Sequence, residues 1–204
     1  MNRRRDISPV SGASGTVRII GGEWRGTRLP VADRVGLRPS ADRVRETLFN
    51  WLQPKLPDAR VLDLFAGTGA LGLEALSRGA SEAVLIEREP GIAENLRRTT
   101  ARLQGGDRAR VICDDATVWL RGEPSTAFDV VFVDPPFAGD WWRPVLGALS
   151  PWLAQDAWLY LESPAERPAE TDEHWLLHRE GRTRDVHYAL YRRWASEGFA
   201  TSGV

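Results

Sequence analysis

The stretch Val61-Leu62-Asp63-Leu64-Phe65-Ala66-Gly67-Thr68-Gly69-Ala70-Leu71-Gly72 decides the fold. A short apolar run, a glycine turn and the start of a helix follow without a break, which is the strand–turn–helix unit of an α/β domain. Gly67, Gly69 and Gly72 satisfy G-x-G-x-x-G, and Glu87 ends the next apolar run about 20 residues later. The same spacing occurs in nicotinamide dinucleotide sites, so the pattern alone does not choose a ligand. Asp63 does. A fixed carboxylate inside the strand, four residues before the turn, is poorly placed against a pyrophosphate and well placed against a cation. The loop Phe65–Gly69 is also longer than a dinucleotide turn needs. Asp134-Pro135-Pro136-Phe137, after a later strand, has no evident use in hydride transfer.

Outward from this unit, apolar runs alternate with helical segments. Strands are expected at 61–65, 83–86, 110–113, 128–133 and 157–161, and helices at 70–77, 91–103, 117–120 and 142–153. Strands apolar on both faces and separated by helices make a parallel sheet covered on both sides. Two extended runs, 174–178 and 186–194, flank 180–185 with no room for a crossover helix, so they pair as a hairpin and place one antiparallel strand in the sheet. The expected fold is α/β and Rossmann-like, with a seven-stranded, mainly parallel sheet. Upstream, 17–31 reads as a β-hairpin around Gly21-Gly22. Residues 41–52 read as a helix that Pro54 and Pro57 end.

The composition bounds the rest. With 204 residues, 42% hydrophobic and 27% charged, the chain is an ordinary globular sequence, one domain with a modest appendage. One cysteine, Cys113, excludes an internal disulfide framework, and it is expected to be packing in a buried strand. Three histidines and one cysteine do not form a zinc pattern, so no metal is expected. No run approaches a membrane span, and a cytoplasmic monomer is the expectation. The net charge of −1 conceals an asymmetry: residues 1–60 hold 12 Arg/Lys against 6 Asp/Glu, and the remainder 15 against 22. A basic first part fits a polyanionic partner, although a solvated basic surface reads the same way.

Asp63-Leu64-Phe65-Ala66-Gly67-Thr68-Gly69, Glu87 and Asp134-Pro135-Pro136-Phe137 resemble the class I S-adenosylmethionine-dependent methyltransferases that modify exocyclic amino groups. With Arg38-Pro39-Ser40-Ala41-Asp42-Arg43-Val44-Arg45-Glu46-Thr47-Leu48-Phe49-Asn50 added, the chain resembles the RsmD family, which methylates N2 of a guanine in small-subunit (16S) ribosomal RNA. The resemblance runs from about Val17 to about Arg193. It implies S-adenosylmethionine as cofactor and small-subunit ribosomal RNA, in an assembled or late-assembly subunit, as partner. It also implies a layout of a basic tail (1–16), a hairpin-and-helix extension (17–56), a methyltransferase domain (57–194) and a C-terminal tail (195–204).

The resemblance assigns roles residue by residue. Asp63 anchors the cofactor's amino end, with a helix cap or turn carboxylate as the plainer reading. The loop residues Phe65, Ala66, Gly67, Thr68 and Gly69 border the cofactor. Glu87 accepts from the ribose hydroxyls, and Arg88 follows it. Asp115 accepts from the adenine amino group, with Ala116 offering its N–H; adjacent Asp114 is the alternative. Asp134 and the Pro135 carbonyl grip the two N–H bonds of the target amine, and Asp134 also borders the cofactor. Phe137 gives the base a flat face. Arg25, Arg38 and Arg43 are candidates for RNA, with a plain salt bridge as the alternative for Arg38 and Arg43, whereas Arg45 is expected to pair at helical spacing. Trp142 is expected in the core, and Trp141 is open between core and lid. The competing functions are a DNA adenine-N6 methyltransferase, for whose recognition domain there are no spare ~100 residues, and an NAD-linked oxidoreductase.

Overall fold

The computed structural model describes residues 15–31 and 42–194. Nine strands and five α-helices are formed among them, and seven of the strands make one sheet. Its strands are β3 (Arg60–Asp63), β4 (Glu82–Ile86), β5 (Ala109–Ile112), β6 (Phe128–Val133), β7 (Leu153–Pro164), β8 (Trp175–Arg182) and β9 (Val186–Arg193). The order across the sheet is β5-β4-β3-β6-β7-β9-β8. β9 is antiparallel to both neighbours and every other pairing is parallel. The Rossmann-like arrangement expected from the sequence is therefore present.

Strand period and helix placement divide the core in two. Val61, Leu85, Phe132, Tyr160 and Leu190 face the helices α1 (Asp42–Leu52), α2 (Gly72–Ser77) and α3 (Pro90–Thr100). Leu62, Val84, Val131, Leu159 and Leu161 face α4 (Ala116–Trp119) and α5 (Trp142–Leu149). Successive residues alternate between the two cores, as a pleated strand buried on both sides must. Parallel topology puts the carboxyl ends of β3, β4, β5, β6 and β7 along one edge, where ligands of such sheets bind.

The extension is a small antiparallel pair, β1 (Thr16–Arg18) and β2 (Arg28–Pro30), followed by α1. It is locked to the domain by Glu74 of α2, which is fully buried. The Ile20 and Gly21 N–H groups donate to its two carboxylate oxygens at 2.6 and 2.8 Å, and Arg78 Nε donates at 2.6 Å. Arg45 lies alongside, also fully buried, and pairs with Asp42 at 2.6 Å, the expected helical spacing.

Several boundaries differ from the sequence reading. The last parallel strand is longer than 157–161, because β7 runs the full height of the sheet to Pro164. The helix expected to reach 153 ends at Leu149, where Pro151 turns the chain into a 3-10 turn. The hairpin strands extend through Arg182, which shortens the expected turn to 183–185. The hairpin of the extension forms only three residues on each side, and Thr16 belongs to it rather than to the tail. Cys113 is not buried packing: β5 ends at Ile112 and the thiol is exposed. No helix among the described residues is long and apolar enough to cross a membrane.

Candidate active site

The carboxyl edge of the sheet brings together three loops and a strand end. β3 opens into the loop 64–71, β4 ends on Ile86 just before Glu87, β5 leads into Asp115 at the start of α4, and β6 ends on Val133 just before Asp134. Residues scattered over about 70 positions of sequence thus converge because their strands are neighbours.

Asp63 ends β3 and is 2% exposed. Its Oδ2 accepts from the Gly72 N–H at 3.0 Å, at the first residue of α2. Burial raises its pKa from 3.8 to about 7, against the pull of hydrogen bonds from the Gly72 and Phe65 backbones and with a smaller push from Glu87. The carboxylate therefore braces both ends of the glycine loop, the cap reading that the sequence left open. Gly72 is required by packing: a Cβ there would lie 2.1 Å from Leu85 Cδ2. Gly69 adopts φ +80°, and its Cβ would lie 2.6 Å from Leu96 Cδ1. In both cases it is the protein's own core that crowds the position.

Glu87 is mostly buried, and its carboxylate spans two backbones. Oε2 accepts from Gly67 N–H at 2.9 Å and Oε1 from Glu89 N–H at 2.8 Å. Each oxygen keeps a second lone pair for a ligand. Arg88 beside it lies 5.3 Å over the Trp141 ring, and Trp141 meets Phe65 edge-on at 6.4 Å. Trp141 Nε1 donates to the Ala138 carbonyl at 3.2 Å. Trp141 is half-buried and bridges the glycine loop to the segment after Asp134. Trp142 is core, its Nε1 donating to the Glu162 carbonyl at 2.7 Å.

Asp115 caps α4: its Oδ1 accepts from Thr117 N at 2.8 Å and from the Thr117 hydroxyl. That hydroxyl hydrogen bond, above all, holds the carboxylate below its ordinary range, with Arg88 adding to the effect. Oδ1 is the capping oxygen, and Ala116 is buried at the helix start. Asp114 turns its Oδ1 back to the Asp115 N–H at 2.8 Å.

Asp134 is partly exposed and Pro135 is buried, while Pro136 is exposed and Phe137 is 36% exposed. The Phe137 ring centroid lies 6.3 Å from that of Trp142. Beneath Asp134 lies a pair the sequence reading missed. Tyr160 OH donates to Glu162 Oε1 at 2.6 Å, both side chains being buried. Burial above all, then the Glu162 and Asp134 charges, keeps the phenol neutral. A carboxylate ending an apolar strand run was the available signal.

The arginines do not gather as expected. Arg25 belongs to the tight turn 22–26, where Glu23 N–H donates to Ser77 O and Trp24 N–H to Ser77 Oγ at the far end of α2. That end lies at the amino edge of the sheet, opposite Asp134, so Arg25 is not part of the site. Arg43 is exposed on the first turn of α1. Arg38 lies outside the described residues.

A sequence model of the family described as "Conserved hypothetical protein 95" matches residues 17–192. The chain is 48% identical over 188 residues to the ribosomal RNA small subunit methyltransferase D of Escherichia coli K12, spanning 91% of this chain and 94% of that protein. The Haemophilus influenzae protein of the same name is 41% identical over 184 residues, 88% of this chain and 95% of that one. The chain belongs to the RsmD family. A solved structure described as "Putative methyltransferase yhhF from Escherichia coli" superposes with a TM-score of 0.80 at 48% identity, covering 89% of this chain and 99% of that one. As an RsmD-family member the chain is a methyltransferase, and the oxidoreductase suggested by the glycine spacing is set aside.

Proposed function

We propose that this RsmD-family chain transfers a methyl group from S-adenosylmethionine to the exocyclic N2 of a guanine in small-subunit ribosomal RNA. The observation that carries this reading is the convergence of Asp134-Pro135-Pro136-Phe137 with Asp63, Glu87 and Asp115 on one sheet edge. The sequence relatives named for ribosomal RNA small subunit methylation support the substrate.

The donor set fits S-adenosylmethionine. Glu87 has lone pairs free for ribose hydroxyls, Asp115 offers its non-capping oxygen and Ala116 its N–H to an adenine edge, and Arg88, Phe65 and Trp141 supply flat surfaces. Asp63, Ala66, Gly67, Thr68 and Gly69 shape the loop beside it. S-adenosylmethionine supplies an electrophilic methyl group carried on a sulfonium.

An aromatic amine is a weak nucleophile because its lone pair is delocalised into the ring. The Asp134 carboxylate and the Pro135 carbonyl accept its two N–H bonds and draw the nitrogen towards tetrahedral geometry, freeing the lone pair. The fixed φ of both prolines aims the two acceptors at one point before the base arrives. Asp134 then takes the proton that the amine must lose. Phe137 stacks on the base, worth ~1–3 kcal/mol in comparable systems. Arg38 and Arg43 are left as candidates for RNA phosphate, and the protein acts as a monomer without a metal.

Incubating the protein with labelled S-adenosylmethionine and small subunits lacking the modification tests this. Label released as N2-methylguanine is expected. Label in N6-methyladenine, or none in RNA, contradicts the reading.

A further inference from the structure

We infer that the tip of the β8–β9 hairpin, through Arg182 and Arg184 together with Arg167, forms a phosphate-binding surface that holds the RNA strand flanking the target base. This rests on the ribosomal RNA reading above.

Topology makes the case first. β8 and β7 are both antiparallel to β9, so β8 runs with the parallel strands and ends at the carboxyl edge. His187 pairs with Ser163 on one side and Arg182 on the other, one register step beyond Glu162. Two strand spacings put the Arg182 backbone about 10 Å from Ser163. The sequence placed polyanion binding in residues 1–60, yet the hairpin carries basic charge to the catalytic edge, whereas Arg25 sits at the opposite one.

The tip is held in place. Ala165 N–H donates to Asp185 O at 3.0 Å, Thr183 N–H to Val186 O at 2.8 Å, and Val186 N–H to Thr183 Oγ1 at 3.0 Å. Arg182 and Arg184 are exposed on this fixed turn, and neither has an ion pair among the described residues. Arg167 is exposed too, with its guanidinium 6.0 Å from the Trp142 ring, the ring that Phe137 neighbours at 6.3 Å. In an antiparallel pair, facing residues share a side, so Arg182, His187 and Ser163 project to the α5 side, where Trp142 packs.

Carboxylates also lie around the tip. Glu180 pairs with His187 at 2.9 Å. Asp172 accepts from His174 N–H at 3.0 Å, just before β8 begins at the amino edge, whereas Ala169 N–H donates to Ser163 Oγ at 3.1 Å and starts Glu170 from the carboxyl edge. Glu166, Glu170 and Asp185 are acidic neighbours of the three arginines, so phosphate is held by individual guanidinium groups rather than by a net charge. Phosphate contacts position a strand without reading its bases, and exposed arginines on a held turn at the same sheet edge as Phe137 suit that task.

The test compares Arg182→Ala/Arg184→Ala, Arg167→Ala and, as a control at the opposite edge, Arg25→Ala. Each is measured for binding to unmodified small subunits across salt concentrations, for KM and kcat, and for S-adenosylhomocysteine affinity. The double variant is expected to bind subunits about tenfold more weakly and to raise KM, with kcat and cofactor affinity retained. Its slope of log affinity against log salt should shrink by about 1.5, from two lost phosphate contacts. Arg167→Ala should shift in the same direction by about half, and Arg25→Ala should match wild type. Unchanged affinity overturns the proposal, and so does weaker binding with an unchanged salt slope, which would mean a protein contact. Wild type that labels RNA while the variants bind like it sinks this surface alone. Wild type that neither binds nor labels subunits sinks both this surface and the function on which it rests.

Discussion

Glu87 Oε2 accepts a hydrogen bond from the Gly67 N–H at 2.9 Å, so the carboxylate that follows one strand fixes the loop that follows its neighbour. Ligand contact and loop shape are the same interaction seen from two sides. Replacing Glu87 with Gln turns one acceptor oxygen into an NH₂ that faces a backbone donor. Affinity for S-adenosylhomocysteine should fall about tenfold or more, corresponding to ~1.4 kcal/mol, and calorimetric titration reads it. A thermal midpoint measured alongside should fall only modestly, because the contact is local.

Asp63 makes binding depend on pH. Its folded pKa of about 7 lies above the ordinary 3.8, so the folded state keeps a proton that the unfolded chain releases. Stability from this group is therefore present at low pH and lost as pH rises from about 4 through about 7, and it is level beyond. Asp63→Asn should flatten that part of the profile in denaturant titrations. Because a cationic amino group favours the ionised carboxylate, S-adenosylhomocysteine should bind wild type more tightly as pH rises through about 7. Asp63→Asn should show no such rise.

Much of this was legible in the sequence because it is periodic or punctuated. The seven strands, the single antiparallel one and the edge carrying Asp63, Glu87, Asp115 and Asp134 all follow from apolar runs and their breaks. What escaped depends on distance across the chain. Glu74 reads as an ordinary helix carboxylate, yet it is fully buried, holding Ile20 and Gly21 from over 50 residues away. Arg25 looked like an RNA contact from local charge, but Ser77 anchors its turn at the wrong edge. Tyr160 and Glu162 were missed although the carboxylate ending the apolar run was a local signal, because their pairing shows only in the folded strand. Cys113 was misplaced by one residue of strand length, and one residue in a strand end is enough to expose a side chain.

Glu74 offers a stability test. Removing it leaves two backbone N–H groups and the buried Arg45 and largely covered Arg78 without their shared carboxylate. Loss of one partner of a buried charge network costs roughly 3–5 kcal/mol. Glu74→Ala should lower the thermal midpoint by about 10 °C, as read by calorimetry, while an exposed change such as Glu94→Ala should shift it little.

The central claim is that the Asp134 carboxylate acts on the target amine. Asp134→Ala should fold with a thermal midpoint near that of wild type. Single-turnover methyl transfer to small subunits should drop by a factor of about 10²–10⁴, the span of a lost acid–base group, while subunit binding remains. Transfer at the wild-type rate in a folded, cofactor-loaded Asp134→Ala protein would contradict the account.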